Sequence, residues 1–176
     1  RAALARLPQV VAVGLGAQIP FEGRLLTLTA AAGRSVRQEG DLLLVPGAPD
    51  RVAARVAAYL KVRARDRLVA ASDHYATQIG RRVAQVSLRD TRSRWGSCTS
   101  QGALMYSWRL IMAPPRVLDY VAAHEVAHML EMNHSPRFWA VVERLFPQWQ
   151  VERAWLKREG HALQTIRFET ETFEGD

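Results

Sequence analysis

The stretch Pro114–Pro136 reads PPRVLDYVAAHEVAHMLEMNHSP. Two prolines stop whatever precedes it, and Pro115 suits the first turn of a helix, where its missing N–H would have no partner anyway. Val117, Leu118, Val121 and Ala122 then recur at helical spacing. A helix advances about 100° per residue, so positions four apart share a face. His124 and His128 are therefore one turn apart on one side, and both imidazoles can reach a single metal ion. Glu125 adjoins the first of them, displaced around the helix but near the same point. There a carboxylate can take a proton from a water that the metal activates. The plainer reading is two surface histidines on an amphipathic helix. It is the weaker one, because Val121, Ala122, Val126, Ala127, Met129 and Leu130 are apolar, and burying unpartnered imidazoles and a carboxylate among them is unfavourable unless a metal compensates.

A catalytic zinc wants three protein ligands and an open position. His134 is the first candidate for the third. A continuing helix would carry it away from the ligand face, so the helix has to end first. Asn133 can adopt the left-handed conformation that ends helices. Ser135-Pro136 resembles an N-cap followed by proline at the first helical position. His134 then falls in a tight turn between two helices. Glu143, on the following helix, ranks behind it, and Glu131, read as still on the metal helix, ranks third. His74 and His161 lack any such context and read as ordinary histidines.

Upstream, short apolar runs at Val10–Val13, Leu25–Thr29, Ser35–Arg37 and Leu42–Val45 are separated by Gly and Pro, which predicts β-structure over about residues 1–48. Asp50 is a plausible N-cap. Val52, Val56, Tyr59 and Leu60 follow at helical spacing and predict a long helix over about 50–78. Val83–Leu88 and Gly102–Ala113 read as strands. Helices follow at about Pro136–Phe146 and Gln148–Glu159, and the acidic tail 161–176 is expected to fray. The order of strands, long helix, strands and helices is α+β, a small sheet packed on a few helices, in a single domain over 1–176 whose catalytic core spans about 83–160.

With 48% hydrophobic and 23% charged residues, the 176-residue chain is long enough for a sizeable core and has the composition of a globular protein. Its one cysteine, Cys98, forms no internal disulfide, so folding does not depend on an oxidising compartment. No apolar run approaches the roughly 20 residues of a membrane span. Arg1 and Arg6 before the apolar patch Leu7–Ala17 faintly imitate a signal peptide, but Pro8, Gly14, Gly16 and Gln18 interrupt it. The expected location is the cytoplasm. The net charge of +7 would permit a nucleic-acid partner. The arginines are spread along the chain, however, so nucleic acid is not favoured.

Thr91–Ser100 reads TRSRWGSCTS. A functional reading makes it a wall of the substrate site, with Arg92 or Arg94 binding an anionic group or a developing oxyanion. Trp95 with its adjacent Gly and Ser suggests a packed turn or an edge strand passing close to something; read by itself, the segment is a packed Trp with solvated arginines. Cys98 has no histidine near it in sequence to activate it and reads as core filler.

Taken in order, Arg94-Trp95-Gly96-Ser97-Cys98, Trp108-Arg109-Leu110, Ala113-Pro114-Pro115, His124-Glu125-x-x-His128, Asn133-His134-Ser135 and Phe138-Trp139 resemble the YgjP-like metallopeptidases, small bacterial zincins related to the WLM and SprT-like groups. The resemblance covers roughly residues 20–160. It implies a minimal zincin-like fold, Zn²⁺ held by His124, His128 and His134, and Arg94-Trp95-Gly96-Ser97-Cys98 close to the active site; with the arginines read above and in the phosphate alternative below, the expected substrate-binding residues are Arg92, Arg94, Trp95, Ser97 and Arg109. This reverses the plain reading of Thr91–Ser100. Ser107 stands where the family usually has Asn, and the Gly102–Tyr106 strand is more apolar than the family leads one to expect. The metzincin pattern is not met, since Glu131 occupies its glycine position. The resemblance implies a zinc metallopeptidase acting on a peptide or protein, with Glu125 as general base and the Gly102–Arg109 strand as the edge that pairs with substrate. An alternative on the same metal site is a nucleoside triphosphate (UTP) pyrophosphatase, for which Arg92, Arg94 and Arg109 would suit phosphate oxygens. A DNA-associated SprT-like protease ranks last.

Overall fold

The computed structural model describes residues 11–168. The apolar patch Leu7–Ala17 is thus described only from Val11, and the acidic end of the tail, 169–176, lies outside the described residues. Strands β1 (Val11–Ala12), β2 (Gln18–Phe21), β3 (Arg24–Ala31), β4 (Arg37–Glu39) and β5 (Leu42–Pro46) open the chain. Helix α1 (Val52–Gln78) follows, then β6 (Gln85–Arg89), β7 (Gly96–Cys98) and β8 (Ala103–Ser107). Helices α2 (Pro115–Ala127), α3 (Pro136–Leu145) and α4 (Trp149–Gln164) precede a short β9 (Ile166–Arg167). This is the expected α+β class, but the strands do not form one sheet. Four of them order as β2-β3-β5-β4, three as β6-β8-β7, and β1 pairs with β9.

The long helix forms as the spacing predicts, without a break. Its buried residues Val52, Val56, Leu60, Ala64, Leu68 and Ser72 repeat every four positions, so one stripe faces the core along its whole length. Its start differs from expectation. Pro49 opens a 3₁₀ turn over Pro49–Arg51, and the cap of α1 is Arg51, not Asp50. Asp50 lies inside that first turn, where its carboxylate faces the positive end of the helix. Leu104, Tyr106, Leu110, Ile111 and Met112 pack with this stripe and with Val117, Leu118, Val121 and Ala122 of α2 in one contiguous core. One buried polar pair, the hydroxyls of Ser72 and Tyr106 at 2.8 Å, ties α1 to β8.

The predicted strand Gly102–Ala113 is half strand and half 3₁₀ turn. β8 ends at Ser107, and the Ser107 hydroxyl accepts from the Arg109 N–H to open a turn over Trp108–Met112. Arg109 rides on that turn and points away from the predicted substrate side. It is 4% exposed, its guanidinium grips both oxygens of Asp90 at 2.7 and 3.3 Å, and it donates to the carbonyls of Leu163 and Ile166, each at 2.8 Å. Every face of the fork is used within the fold, so its assignment to substrate is corrected to a structural one. The same contacts explain why the described part of the tail is ordered rather than frayed: α4 runs to Gln164, and β9 pairs parallel with β1 beneath Arg109. Among the described residues no helix is long and apolar enough to cross a membrane.

Removing the guanidinium leaves Asp90 and two carbonyls without their donor. Arg109→Met should lower stability by about 2–3 kcal/mol, the lower end for a broken buried pair because Asp90 is partly solvated. In a chain of this size the melting temperature should fall by roughly 5–10 °C. An unchanged melting temperature would contradict the structural role.

Candidate metal centre

Helix α2 delivers His124 and Glu125 on its last turn and ends at Ala127, with His128 as its cap in a still helical conformation (φ −64°, ψ −16°). The chain then winds down. Met129 N donates to Val126 O at 2.9 Å, and Leu130 N to Ala127 O at 3.1 Å. Glu131 is consequently past the helix, not on it. Asn133 is not left-handed; among the described residues positive φ outside glycine occurs at Glu22 and Gln148 only. The tightened turn after His128 does the work assigned to Asn133. Ser135 does cap α3, its hydroxyl accepting from Phe138 N at 3.3 Å, with Pro136 in the first turn. His134 stands directly before that cap and folds back over α2.

The ligand atoms of His124, His128 and His134 all lie within 4.8 Å of one another. His128 Nε2 and His134 Nε2 are 3.1 Å apart. Four ligands at zinc–nitrogen distances of about 2.0–2.1 Å would sit roughly 3.3 Å from each other, so the nitrogens already stand near the edge of such a tetrahedron. Two lone pairs at that separation need a proton or a cation between them. The tautomer of His128 is set from behind. His128 Nδ1 donates to the Glu131 carbonyl at 3.0 Å, leaving Nε2 for a ligand role, and the Tyr120 hydroxyl lies 3.4 Å from His124 Nδ1. The donor set therefore fits zinc, which takes neutral imidazoles. Burial, then the charges of His128, His134 and Arg153, push the His124 imidazole down to about 3. Burial also lowers His128. Neither Glu143, exposed on α3, nor Glu131 joins this cluster, and His74 and His161 lie outside it.

Aromatic rings hold the imidazoles in place. Phe138, fully buried, stacks on His128 with centroids 4.3 Å apart, and Trp139 lies 5.6 Å from His124 while stacking on Trp149 at 4.2 Å. Arg153 caps the Trp139 ring at 5.2 Å. The Phe138-Trp139 pair, which the sequence offered only through resemblance, is thus the wall that orients the histidines.

Glu125 is 6% exposed, and burial pushes its carboxyl up to about 7, with the nearby Arg94 guanidinium pulling the other way. Strand β7 lies across it. A Cβ on Gly96 would stand 2.9 Å from Glu125 Cγ, 3.1 Å from its Oε2 and 3.0 Å from the Met105 carbonyl, so only glycine lets the strand approach. Arg94, Trp95, Gly96, Ser97 and Cys98 line a cleft of about 430 Å³ together with Tyr120, Val121, Met132, Leu156, Glu125 and the three histidines. Of the residues expected to meet substrate, Arg94, Trp95 and Ser97 are here; Arg109 is not, and Arg92 does not line the cleft but accepts from Gln164 through its backbone carbonyl. Cys98 is in the wall, but burial and the Glu125 charge push its thiol up to about 11, which keeps it protonated.

The edge predicted to receive a partner strand also shifts. β8 is central, flanked by β6 and β7, and β7 is the free edge on the cleft side. Trp95 O accepts from Ser107 N, Thr99 N donates to Ala103 O, and Ser97 pairs with Met105 between them. Antiparallel alternation then turns the backbone groups of Gly96 and Cys98 outward, toward the cleft. Of the two readings of Trp95 with its adjacent Gly and Ser, packed turn or edge strand, β7 is the edge strand, and its close neighbour is Glu125.

Residues 3–159 match a family model described as YgjP-like, metallopeptidase domain. No curated protein matches the chain. Among solved structures, the crystal structure of the metallopeptidase zymogen of Pyrococcus abyssi abylysin is similar, with 20% identity and a TM-score of 0.46 over 51% of this chain and 93% of that one.

The close approach at Gly96 gives a stability test. Gly96→Ala should destabilise the fold by about 1–3 kcal/mol through overpacking against Glu125 and the Met105 carbonyl. Ser97→Ala, one residue along, should change it by less than about 0.5 kcal/mol. Urea denaturation of the two variants checks the ranking.

Proposed function

The chain belongs to the YgjP-like metallopeptidase family, and on that premise we propose that it is a zinc-dependent peptidase in which His124, His128 and His134 hold the metal and Glu125 is the general base. The observation that carries this reading is the convergence of three imidazole ligand atoms within 4.8 Å beside a buried carboxylate, in a cleft bounded by a free strand edge. Zn²⁺ bound by the three histidines would supply a Lewis acid for the scissile carbonyl and make a water acidic near neutral pH.

The chain's own groups account for the rest. An extended peptide adds to the open edge of β7 through the backbone of Gly96 and Cys98, and this fixes the scissile bond over the α2 face that bears Glu125. Glu125 takes the proton of the attacking water as the carbon–oxygen bond forms. It then passes that proton to the leaving nitrogen as the carbon–nitrogen bond breaks, so the carboxylate is regenerated. Gly96 holds it in reach by closing off the space to which it would otherwise swing. Arg94 stands at the cleft with a cation suited to a substrate carbonyl or to charge developing on it. Phe138, Trp139 and the Glu131 carbonyl keep the imidazoles from turning away.

The pyrophosphatase alternative drew on Arg92, Arg94 and Arg109 together. Arg109 is committed to Asp90 and two carbonyls, and only Arg94 of the three lines the cleft. A triphosphate would therefore meet one arginine there, and the free strand edge would have no use. The observations favour a peptide.

Two outcomes test this assignment. Glu125→Gln should retain one zinc per chain by elemental analysis and an almost unchanged melting temperature, while peptide hydrolysis falls by roughly a hundredfold or more. Loss of zinc with the activity would make Glu125 structural. In a metal-competition titration His134→Ala should weaken zinc binding far more than Glu143→Gln, and the reverse ranking would move the third ligand to Glu143.

A further inference from the structure

The cleft is not uniform along its length. Met132, His128 and His134 stand at the end where α2 unwinds, and Tyr120, Val121, Leu156 and Trp95 stand at the other. Val121 is one helical turn before Glu125 and three residues before His124, so it shares their side of α2. It is 3% exposed and forms the floor. Leu156, half-buried on α4, forms the far wall. One turn further along α4, Gly160 faces the Trp95 indole so closely that a Cβ would stand 2.9 Å from its Cζ2. The ring can therefore lie against α4 and close the recess from the side. The Tyr120 hydroxyl is turned to His124 Nδ1, and the Arg94 guanidinium, also in the cleft lining, acts on Glu125.

We infer that the protein cleaves peptides beside a bulky aliphatic or aromatic residue, whose side chain enters the recess formed by Val121, Leu156 and Trp95. The inference rests on the peptidase reading above and deepens it. The scale fits. Side chains one helical turn apart are about 5–6 Å from each other, and an extended peptide rises about 3.3 Å per residue. A bond held over Glu125 thus places a neighbouring side chain over Val121. The chemistry fits as well: an aliphatic floor and wall with an indole side accept apolar surface, and the arginine of the cleft lining, Arg94, is close enough to Glu125 to act on its carboxyl. Shape and polarity of this kind discriminate by roughly tenfold or more in kcat/KM.

The test is digestion of a sequence-randomised peptide mixture by the zinc-loaded protein, with the cut sites read by mass spectrometry. Leu, Ile, Met or Phe should be enriched about tenfold or more over Asp, Glu and Lys at one of the two positions flanking the cut. Leu156→Arg should abolish that enrichment and raise cleavage beside Asp or Glu. Leu156→Ala, milder for the fold, should shift the preference toward the largest rings. As a readout independent of turnover, Glu125→Gln should bind the preferred peptide at least about tenfold more tightly than its Asp-substituted counterpart, measured by fluorescence anisotropy. Cleavage with no preference at either position, or a preference that Leu156 variants leave unmoved, overturns this inference and leaves the peptidase reading standing. Failure to cut any peptide overturns both.

Discussion

Three imidazoles crowd one point, and α2, α3 and α4 are arranged to hold them there. Burial lowers the protonation of His124 and His128, and the charge of His134 lowers both further, so the cluster favours a Lewis acid over protons. Such a cluster is unstable unless each ring is pinned from behind. The pins come from different elements: a carbonyl just past the end of α2, a hydroxyl one turn earlier on α2, and the rings of Phe138 and Trp139 on α3. The N-cap at Ser135 matters for this reason. It starts α3 so that Phe138 stacks on His128, and it leaves His134 as the last residue before the cap. Trp149 and Arg153 extend the same wall onto α4.

The buried carboxylate is confined from the opposite side. Glu125 lies under a strand that can approach only because residue 96 has no side chain. The close approach of β7 to α2 therefore couples two functions: it limits where the carboxylate can go, and it presents a free backbone edge beside the histidines. The sheet bearing that edge is anchored at a distance by Arg109, through Asp90 and the C-terminal carbonyls. Other arginines also serve as local braces, Arg24 with Asp41 and Arg67 with Glu22 and Asp119. Each exposed pair is worth little singly. Together they account for part of the basic composition without a polyanionic partner.

The legible parts were those with strong periodicity or strong chemistry. The stripe of α1 and the His124–His128 spacing repeat at helical intervals, and Ser135-Pro136 is a cap by its residue types alone, so each could be read locally. What escaped depended on long-range contacts. Nothing local says that Arg109 pairs with Asp90 and with carbonyls more than fifty residues away. Nothing local says that β8 lies between β6 and β7, which moves the free edge from the longer, apolar strand to the short one beside Trp95. The end of α2 was foreseen but not its means, because a tightened last turn leaves no mark in the sequence while a left-handed Asn would have.

The account turns on which atoms bind the metal, and the cleft holds a competitor, since the Cys98 sulfur lies in the same wall as the three histidines. Zinc K-edge X-ray absorption of the stoichiometric zinc protein separates them directly. The account predicts three imidazole nitrogens at about 2.0–2.1 Å with one further light atom and no sulfur shell. A scatterer at about 2.3 Å, the distance of a thiolate, or a fit needing fewer than three imidazoles would contradict it.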